Sequence, residues 1–118
     1  MEITESSCDG IALLHVRGDM DMANAPLLAT ALAPHLKEPE PPVVLDLSAC
    51  PFIDSGGLNV LLDAALQREA VGGWMGALGV RSNLMRVFQI VGLTTCPGFR
   101  ILEDLSEVCP EEAAARGD

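Results

Sequence analysis

The chain has 118 residues, and 49% of them are hydrophobic while only 3% are aromatic, so its core must be built from aliphatic side chains. A formal net charge of −10 argues against direct binding of nucleic acid or of anionic membrane surfaces, because both need basic patches. No apolar run approaches the roughly 20 residues of a membrane span, and acidic residues interrupt the N-terminus where a signal peptide would be apolar.

Two strands are expected at the N-terminal end of the chain. Residues 1–4 suggest a short first strand, and residues 11–17 read as a second strand after the turn signal Asp9-Gly10. His15 lies in that second strand and could be considered as a general base. We interpret it instead as a strand residue at the edge of burial, because no nucleophile is spaced to meet it.

A first helix is expected to begin between residues 22 and 26, after the strand has ended at Gly18-Asp19-Met20-Asp21. Proline suits the first turn of a helix, where its missing N–H removes no bond. Pro34 should kink this helix or end it early, because a proline removes a mid-helix hydrogen bond. Residues 37–42, KEPEPP, form a polar, proline-rich connector.

The middle of the chain predicts a buried strand followed by a loop and a helix. Residues 43–47 are expected to form this strand, and their start with the apolar run Val43-Val44-Leu45 is typical of a parallel strand covered on both faces. A helix from about Ser55 to the glycine stop at Gly72-Gly73 follows. Its apolar stripe is expected at Leu58, Leu61, Leu62, Ala65 and Leu66.

The C-terminal half repeats the alternation of strand and helix. Residues 74–80 and 99–102 are strand candidates, and Ser82 is a suitable N-cap for a helix closed by Gly92. Asp104 is expected to cap a final helix.

The complete pattern predicts an α/β fold with a mixed, mostly parallel sheet of four to five strands and about four helices. We expect one cytoplasmic domain over residues 1–118, with its core at about 11–108 and a helical or frayed tail at 111–118.

The cysteines and histidines show no spacing typical of metal ligands, and no cofactor is expected. No two cysteines form a C-x-x-C pair, so all four are interpreted as free thiols in a reducing cytoplasm. They are Cys8, Cys50, Cys96 and Cys109, and the two histidines are His15 and His35.

Ser55 opens the predicted second helix, and three roles suit it. Its hydroxyl could cap the helix, which is the common use of serine at this position. It could be phosphorylated, because a helix N-terminus with bare N–H groups favours an anion. Gly56 and Gly57 follow it and are unfavourable in a helix by roughly 1 kcal/mol each, which suggests that another molecule approaches the backbone here.

The third role is that of a nucleophile, since Asp-Ser-Gly-Gly also surrounds the serine of trypsin-like proteases. The chain is about half the size that such a fold needs, and His15 is the only plausible base. The G-x-S-x-G motif of α/β-hydrolases is absent as well. A serine hydrolase is therefore the least favoured alternative, and we expect no catalytic residue and no enzymatic activity.

Several segments together resemble STAS domains, specifically bacterial anti-sigma factor antagonists. The sequences VLDLS at 44–48 and FIDSGGL at 52–58 are similar to the family signature. Gly18-Asp19-Met20-Asp21 is similar to the element after its second strand, and residues 81–93 are similar to its third-helix segment. The similarity extends from Ile11 to about Val108. Gly56 stands where many members have a second serine or threonine, and Asn83 where proline is usual.

The resemblance implies a domain that binds an anti-sigma factor, itself a serine kinase, and so releases a sigma factor to regulate transcription, as in stress responses. The kinase would phosphorylate Ser55 and weaken binding, and a serine phosphatase would restore it. Other family members are accessory subunits of lipid-transport ABC systems, and this role is the main alternative. The expected partner-binding residues surround the serine: Asp21, Asp54, Ser55, Gly56, Gly57, Leu58 and Asn59.

Overall fold

The computed structural model describes residues 1–38 and 41–108 and contains one five-stranded sheet. The strands are β1 (Glu2–Cys8), β2 (Ile11–Arg17), β3 (Val43–Ala49), β4 (Met75–Leu78) and β5 (Phe99–Leu102). They lie side by side in chain order, with β1 antiparallel to β2 and the other three pairings parallel. The expected mixed, mostly parallel sheet is confirmed, and β1 is longer than predicted.

The helices are α1 (Ala25–Leu32), α2 (Ser55–Ala70) and α3 (Ser82–Ile90). Short 3-10 helices lie at Ala33–His35, Leu93–Thr95 and Leu105–Glu107. The expected early end of the first helix is confirmed, because α1 stops at Leu32 and Pro34 lies in the 3-10 turn that follows. The expected final helix is only the single turn after Asp104, so the described residues hold three α-helices rather than about four.

All three α-helices pack on one face of the sheet. This follows from the strand order, since successive right-handed crossovers in one direction return to the same side. Aliphatic side chains fill the space between the sheet and the helices, with Phe88 and Phe99 in edge-to-face contact at 5.8 Å between ring centroids. The sheet contributes Ala12, Leu14, Val16, Val43, Leu45, Leu47, Met75, Ala77 and Phe99 to this core.

The described residues cover the opposite face of the sheet only in part. Leu13, Val44 and Leu102 form a small apolar cluster there, over which Leu105 and Val108 fold. Farther along the strands the same face carries polar side chains. The expected burial of residues 43–47 holds except at Asp46, which is half-buried. The strand β3 continues beyond the predicted end through Ser48 and Ala49, which are exposed.

The buried face of α2 differs from the predicted stripe. Leu58, Leu61 and Ala65 are buried as expected, whereas Leu66 is 55% exposed. The stripe continues instead to Arg68, which has no exposed surface. Charged side chains are rarely fully buried unless all their donors are engaged.

Arg68 reaches across the end of the helical layer to backbone carbonyls. Its Nε donates to Trp74 O at 3.0 Å, and its Nη1 donates to His35 O at 3.0 Å and to Glu38 O. Its Nη2 donates to Pro41 O at 3.4 Å. The guanidinium thus fixes the described parts of the connector between α1 and β3 and the turn before β4.

The cysteines correct one prediction. Cys50 and Cys96 are free thiols, but Cys8 is bonded in a disulfide, so the expectation of four free thiols is wrong. Cys109 and the tail at 111–118 lie outside the described residues. Burial raises the pKa of the Cys50 thiol, which therefore stays protonated and packs as a small apolar side chain.

We predict that Arg68→Ala lowers the free energy of unfolding by about 3 kcal/mol, because four backbone carbonyls lose a charged donor at once and a fully buried side chain is removed. The measurement is the midpoint of urea unfolding. Arg86→Ala is the control, since Arg86 is exposed on α3 and should change stability by less than about 0.5 kcal/mol. Equal midpoints for the two variants would contradict the structural role of Arg68.

Candidate functional site

Two loops at the carboxyl end of β2 and β3 run side by side and form the base of the candidate site. Gly18 N donates to Ala49 O at 2.9 Å, and Met20 N donates to Phe52 O at 2.9 Å. Asp54 N returns a bond to Met20 O at 3.0 Å, and an isolated parallel bridge joins Met20 to Ile53. The loops therefore extend the parallel pairing of the two strands to the start of α2.

The Asp54 carboxylate joins this helix start to the opposite loop. One oxygen, Oδ1, accepts from Gly56 N at 2.8 Å and from Gly57 N at 3.2 Å, which makes Asp54 the N-cap of α2. The other oxygen, Oδ2, accepts from Met22 N at 3.0 Å. One side chain thus accepts hydrogen bonds from three backbone N–H groups. Without it, the helix end and the loop would leave these groups unpaired.

The two glycines after Ser55 make room for the chain itself. A Cβ at Gly56 would lie 2.7 Å from the Cα of Met22, and one at Gly57 would lie 2.7 Å from Ile53 Cγ1 and 2.8 Å from Met20 Cγ. These contacts give the two glycines a reason within the chain itself, and the approach of another molecule to their backbone stays a prediction. Their backbone is bare because the loop between β2 and α1 packs directly against it.

Ser55 is the first residue of α2, and it is exposed. The capping role considered for it is filled by Asp54. Within the described part of the chain, its hydroxyl takes part in no hydrogen bond with another residue. The amides of Gly56 and Gly57 are already occupied, so the bare N–H groups expected for a phosphate are not available there. Ser55 is consequently an accessible hydroxyl with no structural task of its own.

The other predicted site residues divide into exposed and interior positions. Asn59 is exposed one helical turn after Ser55, while Gly57 and Leu58 are buried beneath the turn. Asp21 is half-buried, and its Oδ1 accepts from Asn24 N at 3.0 Å while Asn24 Oδ1 accepts from Asp21 N at 2.8 Å. Asp21 therefore shapes the loop before α1.

Two exposed apolar side chains border the serine, and the sequence reasoning missed them. Met22 is 68% exposed on the loop that contacts Gly56, and Phe52 is 49% exposed on the loop before α2. A large apolar residue in a loop between a strand and a helix is the signal that could have identified each of them. We use the term Ser55 surface for the set Asp21, Met22, Phe52, Ser55 and Asn59.

The start of α3 lies against the same region. Asn83 Nδ2 donates to Pro51 O at 3.0 Å, and Arg81 Nη2 donates to Ser48 O at 3.1 Å. The predicted N-cap role of Ser82 is wrong, because Arg81 occupies the N-cap position and no side chain caps the helix. Asn83 instead fixes the loop that presents Phe52.

The hydrolase alternative at Ser55 loses its proposed base. His15 contacts Ser6 and Asp46 through its two ring nitrogens and is not bonded to Ser55. In the described ranges, no group of three or more histidine, cysteine or acidic residues could hold a metal ion. None of the described helices is long and apolar enough to cross a membrane.

Comparison with known proteins finds a family model and a relative that match most of this chain. The family model described as "Mlab, STAS domain" matches residues 4–103. BtrV of Bordetella bronchiseptica, by name a candidate anti-sigma factor antagonist, is 34% identical over 92 residues that cover 78% of this chain and 79% of that protein.

Solved structures share the fold. A candidate anti-sigma factor antagonist from Thermotoga maritima superposes with a TM-score of 0.79 at 21% identity, covering 95% of this chain and 94% of the other. The Bacillus cell fate determinant SpoIIAA in its phosphorylated form superposes with a TM-score of 0.65 at 18% identity, covering 99% and 100% of the two chains.

We predict that Asp54→Ala destabilises the protein by about 2 kcal/mol, because it removes the cap of α2 and the bond to the loop at Met22. Hydrogen exchange should also become faster at the amides of Met22, Gly56 and Gly57. The control is Asp63→Ala in the same helix, where the exposed carboxylate accepts only from Gln67 at 3.4 Å. Unchanged exchange at Met22 in the Asp54 variant would contradict the link between loop and helix.

Proposed function

The chain belongs to the STAS domain family, and we propose that it acts as an anti-sigma factor antagonist through the Ser55 surface. In this proposal, the unmodified protein binds an anti-sigma factor that is a serine kinase and thereby releases a sigma factor. The name of BtrV supports the antagonist class. The observation that carries the proposal is the exposed Ser55 hydroxyl, free of structural bonds, on a helix start held by Asp54.

The Ser55 surface has the composition of a protein contact. Met22 and Phe52 offer apolar area beside the serine, and large apolar side chains of this kind are enriched where proteins bind each other. The loops below them are fixed by backbone bonds and by Asp54, so little conformational entropy would be lost on binding. Gly57 and Leu58 support the contact from beneath rather than touching the partner.

Phosphorylation of Ser55 would change this surface without unfolding it. A phosphate adds about −1.5 to −2 charges at neutral pH, next to the carboxylate of Asp54. Because the Asp54 carboxylate already occupies the amides of Gly56 and Gly57, the phosphate would project outward into the contact area. There it would oppose a partner that complements an acidic surface, and a serine phosphatase would reverse the effect.

The proposal needs neither a cofactor nor catalysis by this chain, since the kinase and the phosphatase supply the chemistry. A kinase and a sigma factor as partners would make this a cytoplasmic protein. The chain acts on transcription through the released sigma factor and not by contacting DNA, in line with its net charge of −10.

A second candidate function is that of an accessory subunit in a lipid-transport ABC system. It is supported by the family model that matches the chain, whose description names Mlab rather than an antagonist. The reading frames next to the gene distinguish the two functions. A GHKL-type kinase there favours the antagonist, and a lipid-transport permease favours the accessory subunit.

We predict that Ser55→Ala retains affinity for the cognate anti-sigma kinase and resists phosphorylation, whereas Ser55→Asp binds at least about tenfold more weakly, a loss of about 1.4 kcal/mol. Both variants should fold, and Ser55→Ala should alter stability by less than about 0.5 kcal/mol, because Asp54 and not Ser55 caps the helix. Calorimetric titration with the kinase, together with thermal melting, measures both effects.

The matched control is Ser7→Asp, which adds the same charge on the exposed edge strand β1 and should leave the affinity unchanged. Equal affinities for Ser55→Asp and Ser55→Ala would remove the switch. A loss of affinity accompanied by unfolding would assign Ser55 a structural role instead.

A further inference from the structure

Three polar side chains meet on the open half of the sheet, on the face opposite the helices. Ser6 of β1, His15 of β2 and Asp46 of β3 lie on adjacent strands. The Ser6 Oγ is 3.0 Å from His15 Nε2, and the Asp46 Oδ2 is 2.9 Å from His15 Nδ1. A serine and a carboxylate therefore contact opposite nitrogens of one imidazole, which is the arrangement of a serine–histidine–aspartate triad.

The hydrogen-bond donors in this arrangement are fixed by the carboxylate. Burial raises the pKa of Asp46, but hydrogen bonds from Ser48 and His15 outweigh it and hold the pKa below its usual value. The ionised carboxylate can only accept, so the neutral imidazole carries its proton on Nδ1. Nε2 then presents a lone pair, and the Ser6 hydroxyl donates to it.

Asp46 is itself held in position. Its Oδ1 accepts from Ser48 N at 3.0 Å and from Ser48 Oγ at 2.7 Å, which leaves Oδ2 for the histidine. Because this third group orients the base that contacts the hydroxyl, the arrangement has every part of an activated serine.

A cavity of about 350 Å³ opens beside the imidazole and the carboxylate. Thr4 and Arg17 line it with a hydroxyl and a guanidinium. Ser6 itself is not among the lining residues, so the cavity adjoins the histidine and the carboxylate rather than the serine hydroxyl. The remaining lining residues are Glu2, Val16, Ser48 and Ala49.

We propose that Ser6, His15 and Asp46 form a second site, in which Ser6 is a nucleophile that accepts acyl groups from activated esters. Ser6 Oγ attacks the carbonyl carbon and its proton passes to His15 Nε2. The bond from that carbon to the leaving oxygen then breaks, and the leaving oxygen takes the proton from Nε2. Water then attacks the carbonyl carbon of the acylated serine, with His15 Nε2 again taking the proton. The carboxylic acid leaves, and the Ser6 hydroxyl is restored. Asp46 acts here as a positioning residue, and the proposal is independent of Ser55.

The test uses a fluorophosphonate, which reacts with activated serines by losing fluoride, on the complete purified chain. The bonded serine is located by fragmentation mass spectrometry of the labelled peptide. Ser7 is the internal control, because it is exposed on the same strand but lies outside the contacts with His15. We expect at least about tenfold more adduct on Ser6 than on Ser7 in the unaltered protein.

Variants then test the roles within the site. His15→Ala and Asp46→Asn should each reduce the ratio of Ser6 to Ser7 adduct at least about tenfold, since an asparagine favours the wrong tautomer of the histidine. A general loss of structure would also bring that ratio to about one, so thermal melting must first show that each variant is folded like the unaltered protein. Equal labelling of Ser6 and Ser7 in the unaltered protein, or a ratio that neither variant lowers, would overturn the proposal.

Discussion

The carboxylate of Asp54 is the constraint on which the candidate site depends. A parallel sheet leaves the loops at the ends of its strands free to diverge, and a helix N-terminus leaves amides unpaired. Asp54 resolves both problems, because its two oxygens face the helix and the loop at Met22 in opposite directions. The close approach that results is tolerated only because Gly56 has no side chain. Ser55 is the residue left facing outward, without a bond to hold it.

The sheet has two unlike faces, and each supports a different part of the molecule. The helical face holds the aliphatic core and thereby fixes the start of α2. None of the described helices packs on the other face, and its apolar patch is covered by the turn that contains Leu105. Its polar half remains accessible to solvent, although its side chains bond to one another in a defined order. These hydrogen bonds lie outside the apolar core, so core packing does not explain them.

The elements with a strong period were predictable, and the contacts between elements were not. Alternation of apolar runs placed β3, α2 and the later strands correctly, because each is determined by neighbours in sequence. From the sequence, capping of α2 was considered for Ser55, whereas in the structure Asp54 is the cap. The two could not be told apart because both residue types suit a helix start. The burial of Arg68 could not be predicted, because its guanidinium donates to the carbonyl of His35, which is far away in the sequence. The contact between Ser6 and His15 was not predicted either, because it depends on the pairing of β1 with β2, and β1 extends to Cys8 rather than ending near residue 4.

The order of the strands has a consequence for how the protein forms during its synthesis. Each strand pairs with the one made just before it, so no strand needs to wait for a later segment to fill a gap. The hairpin of β1 and β2 has the shortest loop to close, and every later unit adds a helix and a strand to an existing edge. The sheet can therefore gain strands in the order in which the ribosome makes them. At every stage the most recently added strand is the edge with which the next strand pairs.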